Sequence, residues 1–259
     1  MSVDAMAVLL GRKGSKQIVG KNTMEVLGRP ICHYSILAAL NSAYVRDVYV
    51  TTDDDLIMAE ARRFDLDVIE RPANLCTDEA LFEAALLHGY WEAVQRRGSV
   101  PDYVVILMCN VMTITSGYID LAIDALENDS AADSAVTVTQ FNMYSPLRAR
   151  KVDDFGYLQP FVPFEVFGDP ATLNCDRGSQ GDVLVANMSH SVSRSAALEH
   201  MDEGLLPQKW MGRKILPIFQ DFGCDLDASW QIAASVSWAR DNGFSDTTTP
   251  YDTEVHGGG

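Results

Sequence analysis

Four fixed positive charges, Arg12, Lys13, Lys16 and Lys21, fall within ten residues of a chain whose formal net charge is −16. Three of its six lysines are among them, the others being Lys151, Lys209 and Lys214. Gly11, Gly14 and Gly20 punctuate this stretch and let the backbone turn tightly and approach a ligand closely. It follows the apolar run Ala5-Met-Ala-Val-Leu-Leu10, which reads as a buried strand. Basic side chains and free backbone N–H groups just past a strand are the chemistry a polyphosphate needs. A solvated basic loop is the plainer alternative, and the lysine selectivity and glycine punctuation argue against it. The spacing excludes two common phosphate loops. Walker A requires four residues between its glycines and then Lys-Ser/Thr. Here five separate Gly14 from Gly20, and Asn22 stands where the hydroxyl residue would be. The dinucleotide G-x-G-x-x-G pattern is absent as well.

Other residues offer chemistry more weakly. Asp225 and Asp227, two apart in Cys224-Asp-Leu-Asp227, point to one side of an extended segment and suit a hard cation such as Mg²⁺. A solvated strand end explains that pair equally well. Asp53-Asp-Asp55 reads as a helix-start device, with Asp53 free to face a ligand. Arg148, Arg150 and Lys151 form a second basic cluster and Lys209, Arg213 and Lys214 a third. Either could attract an anionic group or simply be solvated. His33 and His88 lie on apolar helical faces and read as packing residues. Trp91, Trp210, Trp230 and Trp238 read as core or interface residues. Cys109 follows a buried strand with no activating base beside it, which points to an inert thiol.

Strand and helix signals alternate through the first half and must position these groups. Strands are expected at 5–10, 47–52, 67–69, 103–108 and 135–139, with helices over 30–43, 56–64, 78–97 and 117–128 between them. Repeated β–α units with short connections imply a mainly parallel central sheet with helices on both faces. Residues 141–181 lose this rhythm and hold four of the ten prolines, so they read as an excursion for acceptor recognition or dimer contact. A strand near 182–186 and a helix over 229–241 return to the core. Residues 1–246 therefore read as a single domain. The segment 247–259, with its threonine run and terminal glycines, reads as disordered or added by cloning.

With 259 residues, 47% hydrophobic and 22% charged, the chain is long enough to bury a substantial core. The acidic excess argues against nucleic-acid binding and against anionic membranes, so a phosphate ligand must be captured by a local basic pocket. Five scattered cysteines without C-x-x-C spacing argue against a disulfide framework or structural zinc site. The absence of a signal-peptide pattern or a long apolar run leads to the expectation of a cytoplasmic protein.

The basic loop matches a known motif. R-x-G-S-K-x-x-x-G-K-N is met by Arg12, Gly14, Ser15, Lys16, Gly20, Lys21 and Asn22. In this the chain resembles the acylneuraminate cytidylyltransferase family, the CMP-sialic acid synthetase-like enzymes that activate sialic and related nonulosonic acids. The resemblance continues at Leu27-Gly-Arg-Pro30, Val48-Tyr-Val-Thr-Thr-Asp53, Arg71-Pro72 and Cys224-Asp-Leu-Asp227, and loosens after residue 105.

The resemblance implies a Rossmann-like nucleotide-diphospho-sugar transferase α/β fold, a homodimer, and transfer of CMP from CTP to an acidic sugar with release of pyrophosphate. It also implies roles for particular residues. Arg12, Lys21 and Asp227 would be catalytic. Arg12, Gly14, Ser15, Lys16, Lys21, Asn22 and Arg71 would contact CTP, while Asp225 and Asp227 would hold Mg²⁺. Asn110, which has no counterpart in the family motif, is a further candidate for CTP contact because its amide both donates and accepts hydrogen bonds. Gln180 and Asp182, where the family's acceptor-side strand begins, would contact the acceptor. The chain also departs from the family. Lys13 and Gln17 replace glycines, and Val19 replaces a common proline. More importantly, Met108-Cys-Asn-Val-Met-Thr-Ile114 stands where the family reads Q-P-T-S-P-L-R. The chain thus reads as a divergent subfamily member. The same machinery acting on a phosphonate or other non-sugar acid is one alternative, and a non-catalytic nucleotide-binding protein is another.

Overall fold

The structure, a computed structural model, describes residues 3–14, 18–176 and 181–252. Its centre is β1, Ala5–Leu10, all six residues of which are buried. Short strands β2 (Glu25–Val26) and β3 (Arg29–Pro30) pair antiparallel and lead into α1 (Cys32–Leu40). Then follow β4 (Val45–Thr52), α2 (Asp55–Arg63), β5 (Asp67–Glu70), α3 (Phe82–Arg97), β6 (Tyr103–Met108), α4 (Ser116–Asn128) and β7 (Ser134–Gln140). Strand β1 lies between β4 and β6 and is parallel to both, and β5 is parallel to β4. Burial on both faces is what apolar runs in parallel strands predict.

Ala5, Ala7 and Leu9 of β1 join the core built with α1 and α4. On the other face Gly89 brings α3 against the sheet, where an added Cβ would sit 3.3 Å from Val8 and 3.0 Å from Thr51. Local signals fix the helix ends. Asp54 caps α2 by accepting from Leu56 N–H at 2.9 Å. Gly98, at φ 76°, ends α3 in the left-handed conformation.

The chain divides into two compact units, Met1–Thr137 with Asn187–Gly259, and Val138–Ala186. The second contains the excursion expected at 141–181. Its hairpin pairs β8 (Arg150–Val152) with β9 (Leu158–Pro160). Asp153 closes the turn, accepting from the N–H groups of Phe155 and Tyr157 at 3.0 and 2.8 Å. Phe155, Tyr157, Leu158, Phe161 and Val166 are exposed, Phe155 by 85%.

The remaining elements are β10 (Leu184–Arg194), α5 (Ser195–Glu199), β11 (Ile215–Phe219) and α6 (Ser229–Asp241), and the seven-stranded sheet has the order β11-β7-β10-β6-β1-β4-β5. Strand β10 runs antiparallel to β6 and extends well past the expected 182–186. Its Ser-His-Ser-Val-Ser sequence lacks an apolar pattern, yet it is buried because its hydroxyls find partners. Ser193 Oγ donates to Trp210 O at 2.8 Å, and Trp210 Nε1 donates to Ser191 Oγ at 3.1 Å. Strand β11 is missed by the sequence pattern because Pro217 interrupts it, and it lies at the sheet edge, where proline is tolerated.

Three further expectations need correction. The helix expected from 78 begins at Phe82, since residues 72–81 form a turn and a loop. Trp91 and Trp230 are exposed, unlike the buried Trp210 and Trp238. Residues 247–252 pack within the first unit. Arg29 Nη2 donates to Thr248 O at 3.1 Å, Ser116 N–H donates to Tyr251 Oη at 2.9 Å, and Tyr251 packs edge-on to Phe244. Residues 253–259 lie outside the described residues. Among the described residues no helix is long and apolar enough to cross a membrane.

Candidate active site

A cleft of about 420 Å³ opens at the carboxyl ends of the parallel strands, where ligands of open α/β sheets gather. Gly11 and Arg12 follow β1, Arg71 follows β5, and Met108 and Asn110 end and follow β6. Lys21, Asn22, Asp225 and Asp227 complete the polar half, while Leu75, Leu81, Phe82, Ala85 and Met108 form an apolar wall. All belong to the first unit. The cleft unites most of the residues that the sequence singles out, from positions more than two hundred apart.

The basic loop is shaped by its own chain. Gly14 and Gly20 have φ of 81° and 68°, values that side-chain-bearing residues rarely adopt. Gly11 is required for another reason. A Cβ there would lie 2.7 Å from Ile57 Cδ1 and 2.8 Å from Cys109 Sγ. Cys109 is buried, and burial pushes its thiol up to about 12, so it packs as an inert group. Buried Asn22 donates from Nδ2 to Arg12 O at 3.1 Å, and its own carbonyl accepts from Cys32 N–H at 2.8 Å. Asp53 accepts from Lys13 N–H at 2.8 Å, so it faces the loop while Asp54 caps α2. Ser15 and Lys16 lie outside the described residues.

Each described cation of the loop is paired with an acid. Arg12 Nη2 bonds Asp78 Oδ1 at 2.7 Å, and Lys21 Nζ bonds Asp227 Oδ1 at 2.5 Å. Lys13 Nζ stands 3.6 Å from Asp55 at an exposed position. Arg71 is only 7% exposed; Nη2 donates to Thr51 O at 2.9 Å while Nε has no hydrogen-bond partner among the described residues. Burial lowers its pKa, the mark of a cation held out of water.

Leu226 is fully buried between Asp225 and Asp227, so the two carboxylates share the cleft side of an extended segment, as their spacing predicts. Asp225 is pushed up by burial and by the charge of Asp227, and drawn back by Lys21. That segment is stitched to the loop after β6. Val111 forms a bridge with Asp225, Leu226 N–H donates to Asn110 O at 3.0 Å, and Asn110 Nδ2 reaches Leu226 O at 3.5 Å.

Asp182 belongs to the second unit, where Oδ1 accepts from Gln140 and Asn142 at 2.6 and 3.1 Å. Gln180 lies outside the described residues. The sequence did not single out Asp78 or the 75–85 wall, since neither carries a motif. Chemically, a cleft with three cations and a carboxylate pair suits a polyphosphate together with a hard cation. No group of three or more His, Cys, Asp or Glu positioned for a metal occurs among the described residues.

The mainly parallel sheet, with helices on both faces and a glycine-punctuated basic loop after its first strand, is a Rossmann-like α/β fold, in keeping with the nucleotide-diphospho-sugar transferase fold that the resemblance implies. Solved structures agree on that fold. CMP:2-keto-3-deoxy-manno-octonic acid synthetase complexed with CTP superposes with a TM-score of 0.65 at 16% identity, covering 92% of this chain and 99% of that one. The 4-diphosphocytidyl-2C-methyl-D-erythritol synthase of Anaerococcus prevotii gives 0.60 at 12% identity, with 92% and 97% covered.

In sequence, residues 6–151 match the family model described as cytidylyltransferase. The chain belongs to that family. The N-acylneuraminate cytidylyltransferase of Escherichia coli O18:K1:H7 is 36% identical over 80 residues, 31% of this chain and 19% of that protein. The pseudaminic acid cytidylyltransferase of Campylobacter jejuni serotype O:23/36 is 28% identical over 138 residues, 52% of this chain and 59% of its own length. The CMP-N,N'-diacetyllegionaminic acid synthase of Legionella pneumophila is 36% identical over 74 residues, 28% of this chain and 32% of its own. The matched stretches thus span less than two thirds of each relative.

Proposed function

We propose that this protein transfers CMP from CTP to an acidic sugar of the nonulosonic-acid kind, releasing pyrophosphate. The observation that carries the reading is the convergence of Arg12, Lys21, Arg71, Asp225 and Asp227 on one cleft. The named relatives act on acids of this class, which supports the choice of acceptor.

As pyrophosphate leaves, negative charge grows on the bridging oxygen, and cations beside the β- and γ-phosphates stabilise that transition state more than the ground state. Arg12 offers a planar fork to phosphate oxygens and Lys21 a compact point charge. Asp78 and Asp227 hold these cations in place until the triphosphate takes over their pairing. Arg71, already desolvated and with Nε unpartnered, is suited to the nucleoside end. Asn22 fixes the loop through Arg12 O, and Asn110 fixes the segment that carries the two aspartates.

The donor set fits Mg²⁺: two carboxylates stand on one side of a fixed segment, and the burial and like-charge repulsion that together raise Asp225 are what a divalent cation offsets. Bound by Asp225 and Asp227, the ion would neutralise triphosphate charge and lower the pKa of the acceptor hydroxyl. We further infer that two copies associate through the exposed aromatic surface of the second unit, and that the enzyme works in the cytoplasm, where CTP is held.

A second acceptor class has one observation in its favour. Met108 and Phe82 place apolar surface in the cleft, at the segment where the family motif is lost. A phosphonate or other non-sugar acid with an apolar body would suit that wall. Pyrophosphate release measured across the four NTPs and a panel of acceptor acids, with Mg²⁺ or EDTA, decides among these readings. CTP with an acidic sugar and Mg²⁺ is expected to give turnover. Tight CTP binding without turnover on any acceptor would instead make this a nucleotide-binding protein.

A further inference from the structure

The loop that departs from the family motif has a buried polar network behind it. Thr113 is fully buried, and its hydroxyl meets Cys224 on both backbone groups. It accepts from Cys224 N–H at 3.1 Å and donates to Cys224 O at 3.3 Å, and Ser189 Oγ lies 2.9 Å away. With Ser189 donating, the one proton and both lone pairs of the hydroxyl are used. Gln220 Nε2 donates to Thr113 O at 2.7 Å, and Gln220 Oε1 accepts from Asn187 Nδ2 at 2.9 Å. Gly223 lies within this knot, where a Cβ would come within 2.6 Å of Gln220 Oε1 and closer still to Ser189 and Asn187.

Cys224 is the residue immediately before Asp225. Its backbone is clamped by Thr113, the next is bridged to Val111, and Leu226 N–H is held by Asn110 O. Beyond them, Gln231 Oε1 accepts from Asp227 N–H at 2.7 Å. An extended pair of carboxylates thus has both ends fixed. We propose that Thr113 and Gln220 are positioning residues that set the geometry of the Asp225–Asp227 pair for its divalent cation. They touch neither cation nor substrate and act through the backbone of Cys224. This rests on the metal role given to Asp225 and Asp227 above.

The geometry of a polar group behind a ligand normally shows in metal affinity, by about 10- to 100-fold. The test is Mn²⁺ binding to the full chain saturated with CTP, read by electron paramagnetic resonance, with CTP affinity measured separately in EDTA. Thr113→Val keeps the shape and loses the hydroxyl, and Thr113→Ser keeps the hydroxyl. The proposal expects Thr113→Val to weaken Mn²⁺ binding about 10- to 100-fold with CTP affinity in EDTA unchanged, and Thr113→Ser to restore it.

Wild-type Mn²⁺ affinity in Thr113→Val, alongside its loss in Asp227→Asn, would overturn the proposal and leave the metal pair standing. Wild-type affinity in both Asp225→Asn and Asp227→Asn would instead sink the metal reading itself. Should Thr113→Val fail to fold by circular dichroism, Gln220→Glu, which cannot donate to Thr113 O, is judged by the same criteria. If neither folds, the network serves stability alone and the proposal falls.

Discussion

At the scale of residues, the cleft is an arrangement of charges held by neighbours of opposite sign. Lys21, its side chain 16% exposed, is paired with Asp227, whose side chain is 48% exposed at the mouth of the cleft. Lys21→Ala is expected to lower kcat with CTP by about 10²- to 10³-fold, as removal of a preorganised donor does. An unchanged rate would remove Lys21 from the phosphate role. Gly11 is a packing requirement as much as a loop signal. Gly11→Ala should destabilise the fold by about 1–3 kcal/mol through overpacking against Cys109 and Ile57. Urea unfolding measures this directly, and a variant as stable as wild type would show that the β1 end relaxes. Arg12, Lys21, Asn22, Arg71 and the aspartate pair were legible because their types and spacing form a motif. Asp78, Thr113 and Gln220 were not, because each is defined only by what stands beside it in space.

Among the elements, β10 differs most from its sequence signal. Its polar residues are buried because neighbouring chain segments satisfy them. His190 is the exception that titrates, since burial pushes its pKa down from 6.5 to about 4. The ring stays neutral in the fold and becomes charged in the unfolded chain. Stability is therefore complete above 6.5, falls as the pH drops towards 4, and levels off below that. By pH 5 this loss is on the order of 2 kcal/mol. Urea midpoints at pH 7 and pH 5 should show it in wild type and a smaller change in His190→Met. Equal slopes in both would assign the acid sensitivity elsewhere. Strand β1, by contrast, has the bounds that its apolar run predicts, because a central parallel strand is buried on both faces whatever surrounds it.

At the scale of the molecule, the second unit exposes Phe155, Tyr157 and Phe161 in a chain whose strong negative charge otherwise favours solvation. Light scattering at micromolar concentration is expected to give a dimer for wild type and a monomer for Phe155→Asp/Phe161→Asp. A monomeric wild type would refute the proposed association. The −16 charge also makes local capture of a polyphosphate depend on the loop cations, so CTP affinity should weaken as ionic strength rises.

The sequence by itself determined the alternating first half of the fold and the glycine-punctuated basic loop of residues 11–22, from which the phosphate proposal starts. It also placed Asp225 and Asp227 on a common side. Such features are local, since strand periodicity, glycine spacing and side-chain type act within a few residues. Only the tertiary structure decided that Asp227 meets Lys21, that β10 buries its serines, that β11 forms the sheet edge, and that residues 247–252 pack back onto Arg29 and Ser116. Each depends on partners far along the chain, whose hydrogen bonds and packing exist only once the sheet has formed.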